Sequence, residues 1–325
     1  MIFLGIDTSC YTTSIACVSH NSIVVDMRTP LAVAPGGRGL RQSEGVFLHT
    51  RNLDKMLHSA LNELDKGNIG ALAVSSVPNP APDSYMPVFL VGTMAARAIA
   101  SALSIPMFET SHQEGHIMAA LYSNAAFCGS PFIAMHISGG TTELLLVDEC
   151  FNITKLGGSL DIHAGQLVDR IGVRMGCTFP AGKRMEELAL KTDCSDIIVP
   201  SSVNNLNCSF SGAETRLIGM VDGAEDHAKI ARALYECLAR TFAKMIINAL
   251  EKTGINRYLL AGGVASSGIL RNLLVNRLKS RKREIIVEFA LPKLSSDNAV
   301  GVALKARHEF ERMYKSCLLY TSDAA

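Results

Sequence analysis

A two-domain α/β fold with an internal duplication is predicted by three features of this 325-residue sequence. The chain is longer than one hydrophobic core usually supports, so two domains of roughly 110–200 residues each are expected. Two segments, Phe3–Val18 and Phe132–Val147, echo each other. Each is an apolar run, a short polar turn of Ser, Thr or Gly, and a second apolar run, the pattern of a β-hairpin used twice about 130 residues apart. The third feature is the C-terminal alternation of strand, Gly turn, helix and strand, which is a parallel βαβ unit.

The remaining elements follow in order. Val46–Leu64 carries Phe47, Leu53, Met56, Leu57, Ala60, Leu61 and Leu64 at helical spacing, and Ala71–Ser75 reads as a short buried strand. Three prolines in Pro78–Asp83 remove donors and fix φ, so this segment is a loop. Gly92–Leu103 is a helix of small residues. A long helix over about Asp226–Lys252 places Ile230, Leu234, Cys237, Leu238, Phe242, Met245, Ile246 and Leu250 on one side. The βαβ unit then runs through strand Tyr258–Ala261, the turn Gly262-Gly263-Val264, a helix over Ser267–Leu278 and strand Ile285–Ala290, and a closing helix starts at Asn298. The expected domains are 1–110 and 111–316, with the closing helix 298–316 able to pack back on the first. The last nine residues, CLLYTSDAA (317–325), read as the usual translation of a sequencing-adapter read-through and are expected to be non-native.

With 48% hydrophobic and 19% charged residues the composition is that of a globular protein, neither disordered nor fibrous. A formal charge of +1 is far from the strongly basic balance of a domain that grips phosphates generally, so any RNA contact is expected from a local patch or a partner. The nine cysteines (10, 17, 128, 150, 177, 194, 208, 237 and 317) include no close pair of the zinc-knuckle or redox kind. The opening MIFLGIDTSC lacks a positive n-region and cleavage pattern, so a reducing cytoplasm is expected. The uncharged stretch Met118–Thr142 is broken by polar residues, Pro131 and a Gly pair, and is not expected to span a membrane.

The sharpest chemical signal is His112-Gln113-Glu114-Gly115-His116. On a helix, residues four apart share a face, so both imidazoles can reach one cation; the same spacing also occurs on surface helices without metal. A zinc protease would need a Glu directly after the first His, and that position is Gln113. Glu114 points about 200° away from either His. Asp297, just before the closing helix, is either a further ligand or a simple helix cap. His136 precedes the second hairpin tip at an inward-facing position, where a packed core residue is the commoner outcome. The two polar tips, Asp7-Thr8-Ser9 and Ser138-Gly139-Gly140-Thr141-Thr142, offer hydroxyls and approachable N–H groups to oxyanions. Gly262 and Gly263 would let an adenosine lie against backbone at a helix start.

Taken in order, GIDTSC (5–10), HQEGH (112–116), SGGTTELLLV (138–147), GQLVDRIG around Asp169, FPAGK (179–183), CSFSGAET (208–215), AGGV (261–264) and SDNA (296–299) resemble the TsaD (formerly Gcp) family of tRNA threonylcarbamoyl transferases over nearly the whole chain. The resemblance implies a two-lobed actin-like ATPase (ASKHA, duplicated RNase H-like) fold with a cleft between lobes. It implies one divalent metal ion, iron or zinc, held by His112, His116 and Asp297. His136 stands where archaeal relatives place a metal-binding Tyr and is added as a ligand. It also implies an adenine nucleotide, threonylcarbamoyl-adenylate or ATP, bound by Ser138, Gly139, Gly140, Thr141, Thr142, Asp169, Gly182, Gly262, Gly263 and Ser267. Asp7 and Ser9 are the residues at the first tip for which a catalytic part is expected. The implied reaction moves a threonylcarbamoyl group to the exocyclic amine of the adenosine beside the tRNA anticodon, with tRNA and small TsaB- and TsaE-like proteins as partners.

The chain departs from the family pattern at Tyr11-Thr12 (two acids in most relatives), Thr141 (His or Asn), Ser267 (Asn) and the Pro-rich 78–82 segment (Gly-Pro-Gly). These changes keep a second reading open, a paralogue that binds nucleotide and metal as a regulatory or assembly module. A small-molecule kinase is a third, weakened because Asp7 alone supplies no cleft base; the endopeptidase reading fails on the position of Glu114.

Overall fold

The computed structural model describes residues 1–9, 11–32, 40–62, 64, 66–193, 196–279 and 284–322, with residue 66 and residues 315–322 described by backbone only. Of the expected non-native tail, residues 323–325 therefore lie outside the described residues.

The first apolar echo folds as predicted. β1 (Ile2–Ser9) and β2 (Thr12–Val18) pair antiparallel from Phe3↔Val18 to Ser9↔Thr12. β3 (Ile23–Pro30) continues the meander on β2. After α1 (Gln42–Asn62), β4 (Ile69–Val77) lies parallel beside β1. α2 (Phe89–Leu103) then leads to β5 (Met107–Ser111), parallel to β4, and to α3 (His112–Leu121). The strand order is β3-β2-β1-β4-β5.

One sheet face carries Leu4, Ile6, Ile15, Cys17, Leu72 and Val74 against Leu53, Met56 and Ala60 of α1 and Val91 and Ala96 of α2. The buried stripe of α1 is Gly45, His49, Leu53, Met56 and Ala60. Phe47, expected in that stripe, is 58% exposed, with the Arg51 guanidinium over its ring. The cause is phase: two positions from both Gly45 and His49, it points about 200° from each.

The second unit repeats the plan. β6 (Phe132–Ile137), β7 (Thr142–Val147) and β8 (Ile153–Gly158) form an antiparallel meander. α4 (Ala164–Arg174), α5 (Gly182–Ala189), the two-stranded β9 (Ser202–Asn204) and β10 (Asn207–Ser209), and α6 (Ser211–Asp222) follow. The long helix is α7 (His227–Thr253), started by Asp226, whose carboxylate accepts the Ala228 N–H, and stopped at Gly254 with φ of 74°. β11 (Arg257–Ala261), α8 (Gly268–Lys279) and β12 (Ile286–Phe289) are the predicted parallel unit, and α9 (Pro292–Ser295) is a single turn. The order β8-β7-β6-β11-β12 matches that of the first sheet, strand for strand. The core is built on α7: of its eight predicted inward residues, seven are buried and Leu250 is partly so.

α10 (Val300–Ser322) returns to the first unit. The compact units are Met1–Tyr122 with the segment from Ser296 onward, and Ser123–Ser295. This differs from the expected 110/111 boundary because α3 is held by α10. A side chain on Gly301 would strike the Gly115 carbonyl of α3, and one on Gly5 would strike the Ala299 carbonyl and Ala303 backbone of α10. Absent side chains at these positions let β1, α10 and α3 stack with backbones in contact. Among the described residues no helix is long and apolar enough to cross a membrane.

Candidate metal centre and nucleotide-binding residues

In the first unit, β5 passes into α3 at Ser111. Its Oγ accepts the Glu114 N–H at 3.1 Å, and the Glu114 carboxylate accepts the Ser111 N–H at 2.8 Å. This reciprocal cap starts the helix at His112 and accounts for Glu114, whose carboxylate is turned back to the helix end. Ser111-x-x-Glu114 is the sequence signal of this cap, a Ser three residues ahead of a Glu at the helix start.

One helical turn separates His112 from His116, and Asp297 comes to them from the segment before α10. His112 Nε2 and His116 Nε2 are 3.1 Å apart, and Asp297 Oδ1 is 3.6 Å and 3.5 Å from them. Ligands bound at about 2.1 Å in a tetrahedron stand about 3.4 Å from one another. The three spacings bracket that value, so the donor set fits one divalent cation of the kind that takes nitrogen and oxygen ligands. Among the described residues these are the ones that form such a group of three. Asp297 does not cap the helix; Asn298 does, its Oδ1 accepting the Val300 N–H at 3.0 Å.

Asp7 lies behind the trio. Its carboxylate is fully buried, and Oδ2 accepts the His112 Nδ1–H at 2.8 Å. Burial works against a charged imidazole, yet Asp7 and Asp297, one at each ring nitrogen, hold the His112 pKa well above its ordinary value. Burial would raise Asp297; hydrogen bonds from His112 and His116 and their charges hold it well below the usual carboxylate range. Ser9 is also buried, its Oγ without a hydrogen-bond partner among the described residues. His49 of α1, missed by the sequence reading, is fully buried with Nδ1 2.9 Å from Thr13 Oγ1. Burial lowers its pKa, against the opposing charge of Asp7.

In the second unit the tip between β6 and β7 closes through the Ser138 N–H on the Thr141 carbonyl, 2.8 Å. Gly139 and Gly140 stand open at the turn, and Gly165 of α4 lies so near Gly139 that a side chain there would meet its backbone. Thr142 Oγ1 accepts the Ala164 N–H at 2.9 Å, tying the tip to the start of α4. Asp169 of α4 accepts the Ala181 N–H at 2.7 Å; burial raises its pKa all the same. Gly182 opens α5 and its carbonyl accepts from the Tyr235 hydroxyl at 3.2 Å. Ser267 precedes α8, where its carbonyl accepts the Arg271 N–H, and Glu186 Oε1 accepts the Ile269 N–H at 3.1 Å. Burial, then the charge of Glu186, raises the Tyr235 hydroxyl. Glu186 and Tyr235 thus join the predicted Asp169, Gly182 and Ser267 in one neighbourhood that the sequence did not reveal. Gly262, at φ 102°, lies against the His136 ring, and Gly263 is open. His136 is buried on β6 and belongs to this unit.

Residues 45–304 match the model of TsaD, tRNA N6-adenosine threonylcarbamoyltransferase. A tRNA N6-adenosine threonylcarbamoyltransferase of Bordetella pertussis is 30% identical over 322 residues, covering 94% of this chain and 91% of its own. The chain belongs to the TsaD family. TsaD proteins are transferases by the names their members carry. Among solved structures, the activator of 2-hydroxyisocaproyl-CoA dehydratase from Clostridium difficile, with bound ADPNP, matches with a TM-score of 0.57 at 14% identity, covering 97% of this chain and 98% of its own. HypF in its phosphate- and nucleotide-bound form matches at 0.60 and 11%, covering 93% of this chain and 45% of its own. At such identities the likeness is one of fold: this TsaD member has the actin-like, duplicated α/β architecture that its repeated strand order already displays.

Proposed function

We propose that this protein transfers the threonylcarbamoyl group from threonylcarbamoyl-adenylate to the exocyclic amine of an adenosine in tRNA, at the position beside the anticodon. The observation that carries this reading is the convergence of His112 and His116, from one family motif, with Asp297, from another far along the chain. Bound there, an iron or zinc ion would supply Lewis-acid polarisation of the donor's carbamoyl or phosphate oxygens. His112, His116 and Asp297 would hold it. The Ser138–Thr142 turn would offer backbone N–H groups to the donor, as anion-binding turns do. Asp169 and Gly182 would hold the adenosine ribose and base, helped by Gly262, Gly263 and Ser267 at the start of α8. Substrate tRNA and small TsaB- and TsaE-like proteins would complete the assembly, in the cytoplasm.

Incubation with threonine, bicarbonate, ATP, unmodified tRNA and the other enzymes of the pathway, followed by RNA digestion, should release the threonylcarbamoylated nucleoside. The product should vanish with His112→Ala. Nucleotide and metal binding without product would instead favour a regulatory or assembly paralogue, the reading that Tyr11, Thr12, Thr141 and Ser267 motivate.

A further inference from the structure

Asp7 was expected to take a catalytic part, and its surroundings point to a different task. It sits on β1 opposite Ser14 of β2, one residue beyond the last pair that β1 makes with β4, Ile6↔Val74. Its carboxylate has no exposed surface, so it has no route to a substrate atom. What it does touch is His112, at the ring nitrogen that faces away from the trio. A carboxylate can only accept here, so Nδ1 must carry the proton. In the neutral ring, the form a metal ion would bind, Nε2 is then left with its lone pair toward His116 and Asp297. A histidine has two tautomers and a rotatable ring; a metal site needs one of each, and a buried acceptor fixed in a sheet selects both.

We infer that Asp7 is a positioning residue, which holds the His112 ring and its Nδ1–H tautomer so that Nε2 is presented to a metal ion. The inference rests on the metal reading of His112, His116 and Asp297. Asp7 belongs to the sheet and His112 to the first turn of a helix, so the contact also locks helix start to strand. Its energetic weight comes from burial: a carboxylate shielded from solvent orients its donor more strongly than an exposed one.

Zinc affinity, measured by chelator competition on the full chain, should be about 10–100-fold weaker in Asp7→Asn than in the wild type, the range expected when an outer partner of a ligating histidine is removed. A second measurement needs no variant. In the zinc-loaded wild type, nitrogen-15 NMR of the histidines should show His112 protonated at Nδ1 and coordinated through Nε2. If His116→Ala retains zinc at wild-type affinity, the metal reading fails and the inference with it. If His116→Ala loses zinc while Asp7→Asn binds as the wild type does, or His112 carries its proton on Nε2, the inference alone is overturned.

Discussion

Gly115 of α3 and Gly301 of α10 meet backbone to backbone, and this crossing fixes where the two histidines and Asp297 stand. Gly301→Ala would drive a methyl into the Gly115 carbonyl and to 2.8 Å from the Ala119 nitrogen, atoms that cannot rotate aside. We expect a loss of about 3 kcal/mol, at the upper end for overpacking. Urea unfolding measures it, and an unchanged midpoint would contradict the packing described.

Glu114 is assigned to the helix start and not to the metal. Glu114→Ala should therefore cost about 1 kcal/mol of stability through the lost cap and leave zinc content as in the wild type. Metal analysis of the purified variant decides it, and a metal-free protein would return Glu114 to the site.

The pH dependence of the metal-free protein follows from two shifts of opposite sign. The His112 pKa is raised in the fold, so its contribution to stability is complete below 6.5 and is lost as pH rises through the raised value. Asp297 is depressed, so its contribution is present above 3.8 and is lost as pH falls through the lowered value. Chelator-treated protein should lose thermal stability as pH climbs above neutrality. Zinc should reverse the trend, since binding displaces the His112 proton and strengthens with pH. Paired melting curves with zinc and with chelator test this.

Thr142 joins the second tip to α4. Thr142→Val keeps the shape and removes the acceptor of the Ala164 N–H, a buried donor at a helix start. The expected cost is about 1–3 kcal/mol, with weaker binding of adenine nucleotide as the tip loosens. Equilibrium unfolding and nucleotide titration give the two numbers.

Much of the fold was legible because it is written in local patterns. The paired apolar runs around each tip, the strand-turn-helix of 258–278 and the stripe of α7 all depend on residues close in sequence, and each formed where expected. Phe47 misled for a physical reason: hydrophobicity does not by itself set helical phase, and the stripe turned on small Gly45 and polar His49. The spacing of His112 and His116 was visible, while Asp297 was legible only as either a further ligand or a helix cap, and the family resemblance favoured the first. The contact of Asp7 with His112 spans 105 positions and two kinds of secondary structure. Nothing local marks it, because it exists only once β1 and β5 lie in the same sheet.

The first imidazole of the candidate metal trio, His112, is also the first residue of its helix. Terminal turns open more readily than helix middles, and here the reciprocal cap at Ser111 and the Asp7 contact hold the turn shut, so release of an ion bound there would need these to break and not the sheets to open. The rate at which the cation leaves should then follow the fraying of that turn, and the ion would come and go while both sheets stay intact.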